Sequence, residues 1–471
     1  MKYSHRLGLV FFLSMSACQQ PDTGASAAPQ TPGPTAPQVS APPVPEPATP
    51  GEAVPWLEND FGAALSQAKS KNLPLVVDLW APWCHTCLSM QKFVLTGPAI
   101  VAQSENFIWA SVDTDLPVNA EAVAKLPQNF WPTFYLLSPE GEVLARHVGA
   151  ASETEFLAFL AQGRDAAGNG TASPQTKLRQ KADGAAAAGD YRKALPLYRS
   201  LAAQFGDADG ERFASRVSLL EAGYKSGAYP ECVTDAWTYL DDMSAASSAS
   251  ATDFSYLAQA CSKRAQSSKH AALLERLSAP EGPIRSMLRR TPSLSVDDRS
   301  DAMRVLREIA EERGQTEQAR KYALEQHRVL EAAVAKLSDP ADRMTYHWPR
   351  LEVHRWLGRG EELVEELRAS TRALPKEYDP PYRLAWLLYE LKKFDEALVP
   401  AQQAVALSYG PRKGRTQDLL ADIFHALGRG EDEKAVRMES VKYLQSISPS
   451  AKQKSALEYA QKKLSALKSS R

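Results

Sequence analysis

Cys84 and Cys87 stand two residues apart in Trp83-Cys84-His85-Thr86-Cys87, a spacing that allows one thiol to react with the other. Zinc sites use the same C-x-x-C spacing, but a structural zinc needs four ligands. The surrounding stretch supplies neither a second C-x-x-C nor a His pair to complete such a set. Covalent haem attachment needs His directly after the second Cys, and that position is Leu88. Redox chemistry is what remains. With Cys87 inside the first turn of a helix, the pair can close a small disulfide. Cys84 then sits at the positive end of that helix, where its thiolate is stabilised. No organic or metal cofactor is implied.

The elements needed to hold this pair can be read on either side of it. Phe61 to Lys71 patterns as a helix that Pro74 ends, and Leu75-Val76-Val77-Asp78-Leu79-Trp80 is a short apolar, β-rich run of the kind that forms a buried strand. The C-x-x-C follows at once and opens a helical stretch through Phe93. Strands are expected at Phe107–Val112 and Thr133–Leu137. Pro139-Glu140-Gly141 then makes a turn into Val143–Val148, and Glu153 to Gln162 closes as a helix. Strands interleaved with helices, then a hairpin and a last helix, describe a small α/β domain with a mixed sheet. Asp78 is a charged residue inside an otherwise apolar strand, which is costly unless it has a task. The alternative is an Asp at a strand end facing solvent.

Taken together, Val77-Asp78-Leu79-Trp80-Ala81-Pro82-Trp83-Cys84-His85-Thr86-Cys87 resembles the active-site segment of the thioredoxin family, departing from it mainly at Pro82, His85 and Thr86. Within that superfamily it is most similar to the periplasmic C-terminal domain of the DsbD thiol:disulfide reductase. The resemblance covers about residues 56–162. It implies that Cys84 is the attacking thiol and Cys87 the resolving one, reacting through a mixed disulfide on Cys84. It also implies that Asp78 lies buried beneath the disulfide and relays a proton to and from Cys87. Trp131-Pro132-Thr133 stands where the family has a cis-proline that pairs backbone with an extended substrate. By the same resemblance Trp83, His85, Trp131 and Pro132 line the substrate-docking surface. Trp131 replaces a smaller residue and either restricts which partners dock or simply packs. His85 either lowers the pKa of Cys84 and favours the dithiol, or points to solvent and does little.

The ends of the chain supply context. Met1 to Arg6 is basic, Leu7 to Met15 is apolar but too short to span a bilayer, and Ser16-Ala17-Cys18 follows. That order resembles a bacterial lipoprotein signal over residues 1–18, with Cys18 lipidated; an ordinary signal peptide or an uncleaved anchor is the alternative. From Gln19 to Pro55 about a third of the residues are proline. Such a segment folds into no core, and at about 3.1 Å per residue it reaches up to roughly 100 Å as a tether. The expected arrangement is a domain at 56–165 standing off a membrane of the bacterial envelope, on its periplasmic face.

After a short linker at Gly163–Pro174, strand signals vanish and amphipathic helical patterns rich in Ala, Leu and Tyr run over 175–471. Gly189-Asp190-Tyr191-Arg192-Lys193-Ala194-Leu195 and Phe394-Asp395-Glu396-Ala397-Leu398, each after a helical stretch, resemble the tetratricopeptide repeat. Weaker echoes lie at Gly314–Ala319 and Gly428–Ala435; Ser278 to Asp301 is irregular, with a helix start at Ser295. Cys232 and Cys261 fall near the start of one predicted helix and the end of the next. In an exported chain they form a structural disulfide or remain two buried thiols, since pairing cannot be deduced from sequence.

The fold class expected is therefore an α/β thioredoxin-like domain followed by an all-α tetratricopeptide-like array. At 471 residues with a net charge of −1, nothing calls for nucleic acid as partner. The expected function is a membrane-anchored envelope thiol–disulfide oxidoreductase, more reductive than oxidative. Its partners would be protein thiol or disulfide substrates, a membrane or periplasmic redox donor, and a protein or peptide client on the helices. The competing readings are a tethered scaffold or chaperone whose first domain mainly docks partners, and a scaffold gated by disulfide state.

Overall fold

In the computed structural model Leu75–Trp80 forms β2, buried at every position but Trp80, and occupies the centre of a five-stranded sheet. The structure describes residues 53–167, 173–204, 212–245, 249–265, 268–280, 282–290 and 294–469. Cys18, the expected signal segment and the tether up to residue 52 lie outside the described residues. The strand order is β1-β3-β2-β4-β5, with β1 at Trp56–Glu58, β3 at Ile108–Asp113, β4 at Thr133–Leu137 and β5 at Val143–Val148. β1 and β2 run parallel to β3, whereas β4 runs antiparallel to both β2 and β5. A central strand covered on both faces needs apolar residues throughout, which Leu75, Val76, Val77 and Leu79 provide.

Helices flank this sheet: α1 (Phe61–Lys71), α2 (His85–Phe93), α3 (Pro98–Val101), α4 (Ala120–Lys125) and α5 (Glu153–Ala167). Asp60 caps α1 by accepting a bond from the Ala63 amide, and Asn72 ends it in the left-handed conformation before Pro74. One expectation needs correcting. The segment expected as linker from Gly163 to Pro174 is helical at both ends, because α5 continues to Ala167 and α6 opens at Pro174, and residues 168–172 lie outside the described residues. Gly163 is tolerated inside the helix because α5 lies against Leu136, where a Cβ would overlap that side chain.

The remaining described residues are helical. They run as α6 (Pro174–Ala187) and α7 (Tyr191–Ala202), α8 (Arg212–Lys225) and α9 (Tyr229–Ala245), α10 (Ser250–Ala265) and α11 (Ser268–Ser278), then α12 (Pro283–Arg290). There follow α13 (Val296–Glu312) and α14 (Thr316–Val334), α15 (Pro340–Arg343), α16 (His347–Trp356) and α17 (Val364–Ala373). The last are α18 (Asp379–Glu390) and α19 (Phe394–Leu407), α20 (Gly410–Ala426) and α21 (Gly430–Ser446), and α22 (Ala451–Ser469). The pairs α6–α7, α8–α9, α13–α14 and α20–α21 are each joined by a short turn with a glycine at positive φ (Gly189, Gly227, Gly314 and Gly428), and Lys392 takes that conformation between α18 and α19. Gly189 has φ 74° with open space around its Cβ position, so backbone conformation rather than packing selects glycine there. Ser295 caps α13 through the Asp298 amide, as its sequence position suggests. Cys232 on α9 and Cys261 on α10 are disulfide-bonded, with Cα atoms 6.0 Å apart.

Sheet and array belong to one compact unit. Arg146 of β5 donates two hydrogen bonds, of 2.6 and 2.8 Å, to the Glu221 carboxylate of α8, and neither side chain reaches solvent. The Arg146 amide donates to Asp183 of α6 at 2.9 Å. Gly149, at φ 87°, lets the β5 end approach Asp253 of α10, which accepts the Ala150 amide at 2.8 Å. No described helix is long and apolar enough to cross a membrane.

Candidate active site

The site begins where β2 ends. Trp80 and Ala81 lead through a turn to Cys84, which caps α2 with its sulfur accepting the Cys87 amide at 3.0 Å. The two cysteines are joined, with Cα atoms 5.2 Å apart. The free amides at this helix end and the helix dipole favour a negative sulfur. Ala81, Trp80, Trp83 and Trp131 pack around the pair. The Trp131–Pro132 peptide is cis and leads straight into β4, beside β2.

Asp78 lies in the middle of β2, opposite Ser111 of β3 and Phe134 of β4, and is 2% exposed. One oxygen accepts the Gln91 amide at 3.1 Å; the other has no partner. Burial pushes this carboxyl up to about 7, with the Gln91 bond opposing. Asp78, Trp80 and Gln91 line a cavity of about 390 Å³ that also meets Trp56, Glu58 and Ser111, which is polar and roomy enough for water. The solvent-facing alternative for Asp78 does not apply.

The dithiol face is not open. Cys84 is 4% and Cys87 1% exposed, and the helical array packs on the residues that flank Cys84. His85 donates from Nδ1 to Asp297 of α13 at 2.8 Å and keeps 18% of its side-chain surface. Arg383 of α18 donates to the Trp83 carbonyl at 3.1 Å. Arg412 of α20 and Lys452 of α22 stand over the Trp83 ring, 5.0 and 4.6 Å from its centre, and Lys452 also covers Trp131 at 5.0 Å. Phe93 of α2 stacks on Tyr346, and Lys92 pairs with Asp342 of α15 at 2.8 Å. Thus Trp83, His85 and Trp131, which the resemblance assigns to substrate docking, are engaged by the chain's own helices.

A second acidic element completes the site. Asp113 is the last residue of β3, and Thr114 and Asp115 follow it directly. Asp115 accepts from Trp83 Nε1 at 2.8 Å and pairs with Lys452; Thr114 accepts from Trp131 Nε1 at 2.9 Å; Asp113 accepts from the Tyr409 hydroxyl at 2.6 Å. Burial pushes Asp113 up to about 6, with the Tyr409 bond opposing. Burial draws Lys452 below its ordinary value, with Asp115 opposing. Gly410 has φ 53°, and a Cβ there would overlap the Asp115 carbonyl oxygen. Of these residues the sequence alone singled out only Trp83 and Trp131; the run Asp113-Thr114-Asp115 at the end of a buried strand is the local signal for the others.

Cys232 and Cys261 lie in the array, in the core formed by α8, α9 and α10, and are not brought to this site. Among the described residues His327, His354 and Glu362 each bring a ligand atom within 4.8 Å of one another. His354 Nε2 already bonds Glu331 at 2.9 Å, and Arg350 holds Glu331 through two bonds.

The family described as a thioredoxin-like domain matches residues 61–164. A comparison with curated proteins gives no significant match. Among solved structures, a tetratricopeptide repeat protein from Parabacteroides merdae is 11% identical, with 61% of this chain and 98% of that chain covered and a TM-score of 0.38. A thermophilic tetratricopeptide protein of Thermus thermophilus is 12% identical, with 61% and 98% covered and a TM-score of 0.22. Residues 61–164 thus match a thioredoxin-like domain, and an array of packed helices follows it.

Proposed function

We propose that this chain is a protein thiol–disulfide oxidoreductase of the bacterial envelope, held to a membrane through Cys18, with its helical array engaging the client. The observation that carries this reading is Cys84 and Cys87 at the N-terminus of α2, above a buried Asp78 poised near neutrality. A scaffold has no use for that combination.

Written in the reductive direction, the Cys84 thiolate attacks one sulfur of a client disulfide. A mixed disulfide forms and the first client thiolate leaves, taking a proton. Asp78 accepts the Cys87 proton, and the Cys87 thiolate attacks Cys84 sulfur, expelling the second client sulfur as a thiolate that takes up the proton Asp78 holds. The client gains two electrons and the site ends as the disulfide. A dithiol donor of the envelope returns it to the reduced state.

The first test is the reduction potential of the Cys84–Cys87 couple in the full chain, equilibrated against glutathione or dithiothreitol. A value near −270 mV, as in thioredoxin, supports a reductase; one near −120 mV makes the site an oxidant. No reversible couple ends the oxidoreductase reading. One observation favours a second reading, in which disulfide state gates client binding: the array touches both residues that flank Cys84. Client affinity that differs between oxidised and reduced chain separates the two.

A further inference from the structure

His85 follows Cys84 directly and opens α2, and α13 of the array faces it with charge. Asp297 bonds its ring at 2.8 Å, and Asp301 and Arg304 follow on the same face of that helix. From α2 itself Thr86 lies 3.4 Å from the same ring nitrogen. Tyr346, also packed on α2, is held well above its ordinary value by burial and stays neutral.

We propose, on the premise that the dithiol is redox-active, that Asp297 is a positioning residue for the exchange reaction, reaching from the helical array to hold the His85 ring beside Cys84 and so favour its thiolate. The two helices are built for this contact. Asp297 is nearly without solvent exposure and lies one residue inside the Ser295 cap, so its carboxylate is fixed in direction. Burial alone would push His85 down; Asp297 and Asp301 outweigh it and Arg304 subtracts, leaving the ring at about 9. At neutral pH His85 is therefore an imidazolium, and a cation beside a helix-capping cysteine lowers the thiol pKa. A thiolate so stabilised also favours the dithiol over the disulfide. The redox centre then spans both halves of the chain, because its charge balance depends on a residue more than two hundred positions downstream.

The test compares full-length wild type with Asp297→Asn, which keeps size and a hydrogen bond but removes the charge, and with Asp297→Glu. The readouts are the Cys84 thiolate pKa from ultraviolet absorbance and the potential against glutathione. Asp297→Asn is expected to raise the thiol pKa by about one pH unit, which is about tenfold less thiolate below both values. Above both values, where the thiolate dominates, it should also lower the potential by about 30 mV, the equivalent tenfold for a two-electron couple. Asp297→Glu should stay near wild type, and Asp297→Asn should add nothing in a His85→Ala background. An unchanged pKa and potential in Asp297→Asn, or a shift that persists without His85, overturns the proposal. A wild type without a reversible couple overturns the oxidoreductase reading instead, and this inference falls with its premise.

Discussion

Asp78 is held protonated by its surroundings at pH values where an unfolded chain would ionise it. Its folded value of about 7 stands against an ordinary 3.8. Between those values the folded state binds a proton that the unfolded state does not, so stability falls as pH rises from about 4 to about 7 and stays low above that. The gap corresponds to at most about 4 kcal/mol. Asp78→Asn is therefore expected to raise the denaturation midpoint of the oxidised chain at pH 8 and to leave it nearly unchanged at pH 4. The same variant should release the second client thiol more slowly, since no base then serves Cys87. Equal stabilisation at both pH values would show that packing, not ionisation, governs this position.

At the scale of elements, β5 and α8 are joined by a charge pair taken fully out of water, and this predicts a steep penalty for halving it. Glu221→Ala leaves Arg146 buried and unpaired, and such a loss costs about 3–5 kcal/mol. Asp235→Ala breaks the half-exposed Arg199 pair and should cost at most about 1 kcal/mol. Urea denaturation of the two variants checks this, and similar costs would mean that the sheet and α8 separate early. The elements themselves were largely legible. The apolar run at Leu75–Trp80, the strands after it and α1 stand where periodicity and Pro74 put them. β1, with three residues, is too short to carry a period, and α4 is only two turns long. The cysteines, Asp78 and Pro132 could be found because their chemistry is local in sequence. The partners on the array could not. Asp297, Arg383 and Lys452 pattern like any solvated helix face, and only the curvature of the array brings them to the dithiol.

For the molecule as a whole, a redox site beneath its own helices implies an opening equilibrium that governs access. The closing contacts nearest Cys84 are polar: Arg383 on the Trp83 carbonyl, Asp297 on the His85 ring, Arg412 and Lys452 on the Trp83 ring, and Lys452 on Asp115. Polar contacts of this kind contribute modestly each, so the cover should open far more easily than the chain unfolds. A small alkylating agent should then label reduced Cys84 faster than a bulky polymer-linked maleimide, which must wait for the array to move. Lys452→Ala removes the contact to both tryptophans and the partner of Asp115. A loss of 1–2 kcal/mol from the closed state shifts the open fraction about 5–30-fold. The variant should therefore speed labelling by the bulky reagent by that factor while changing the small reagent's rate much less. Gly410→Val should act in the same direction, because its side chain would push α20 off the Asp115 carbonyl. If bulky and small reagents label wild type at the same rate, the array does not cover the dithiol in solution. If Lys452→Ala leaves the bulky reagent as slow as before, the cover is held by the apolar packing of α2 against Tyr346 instead.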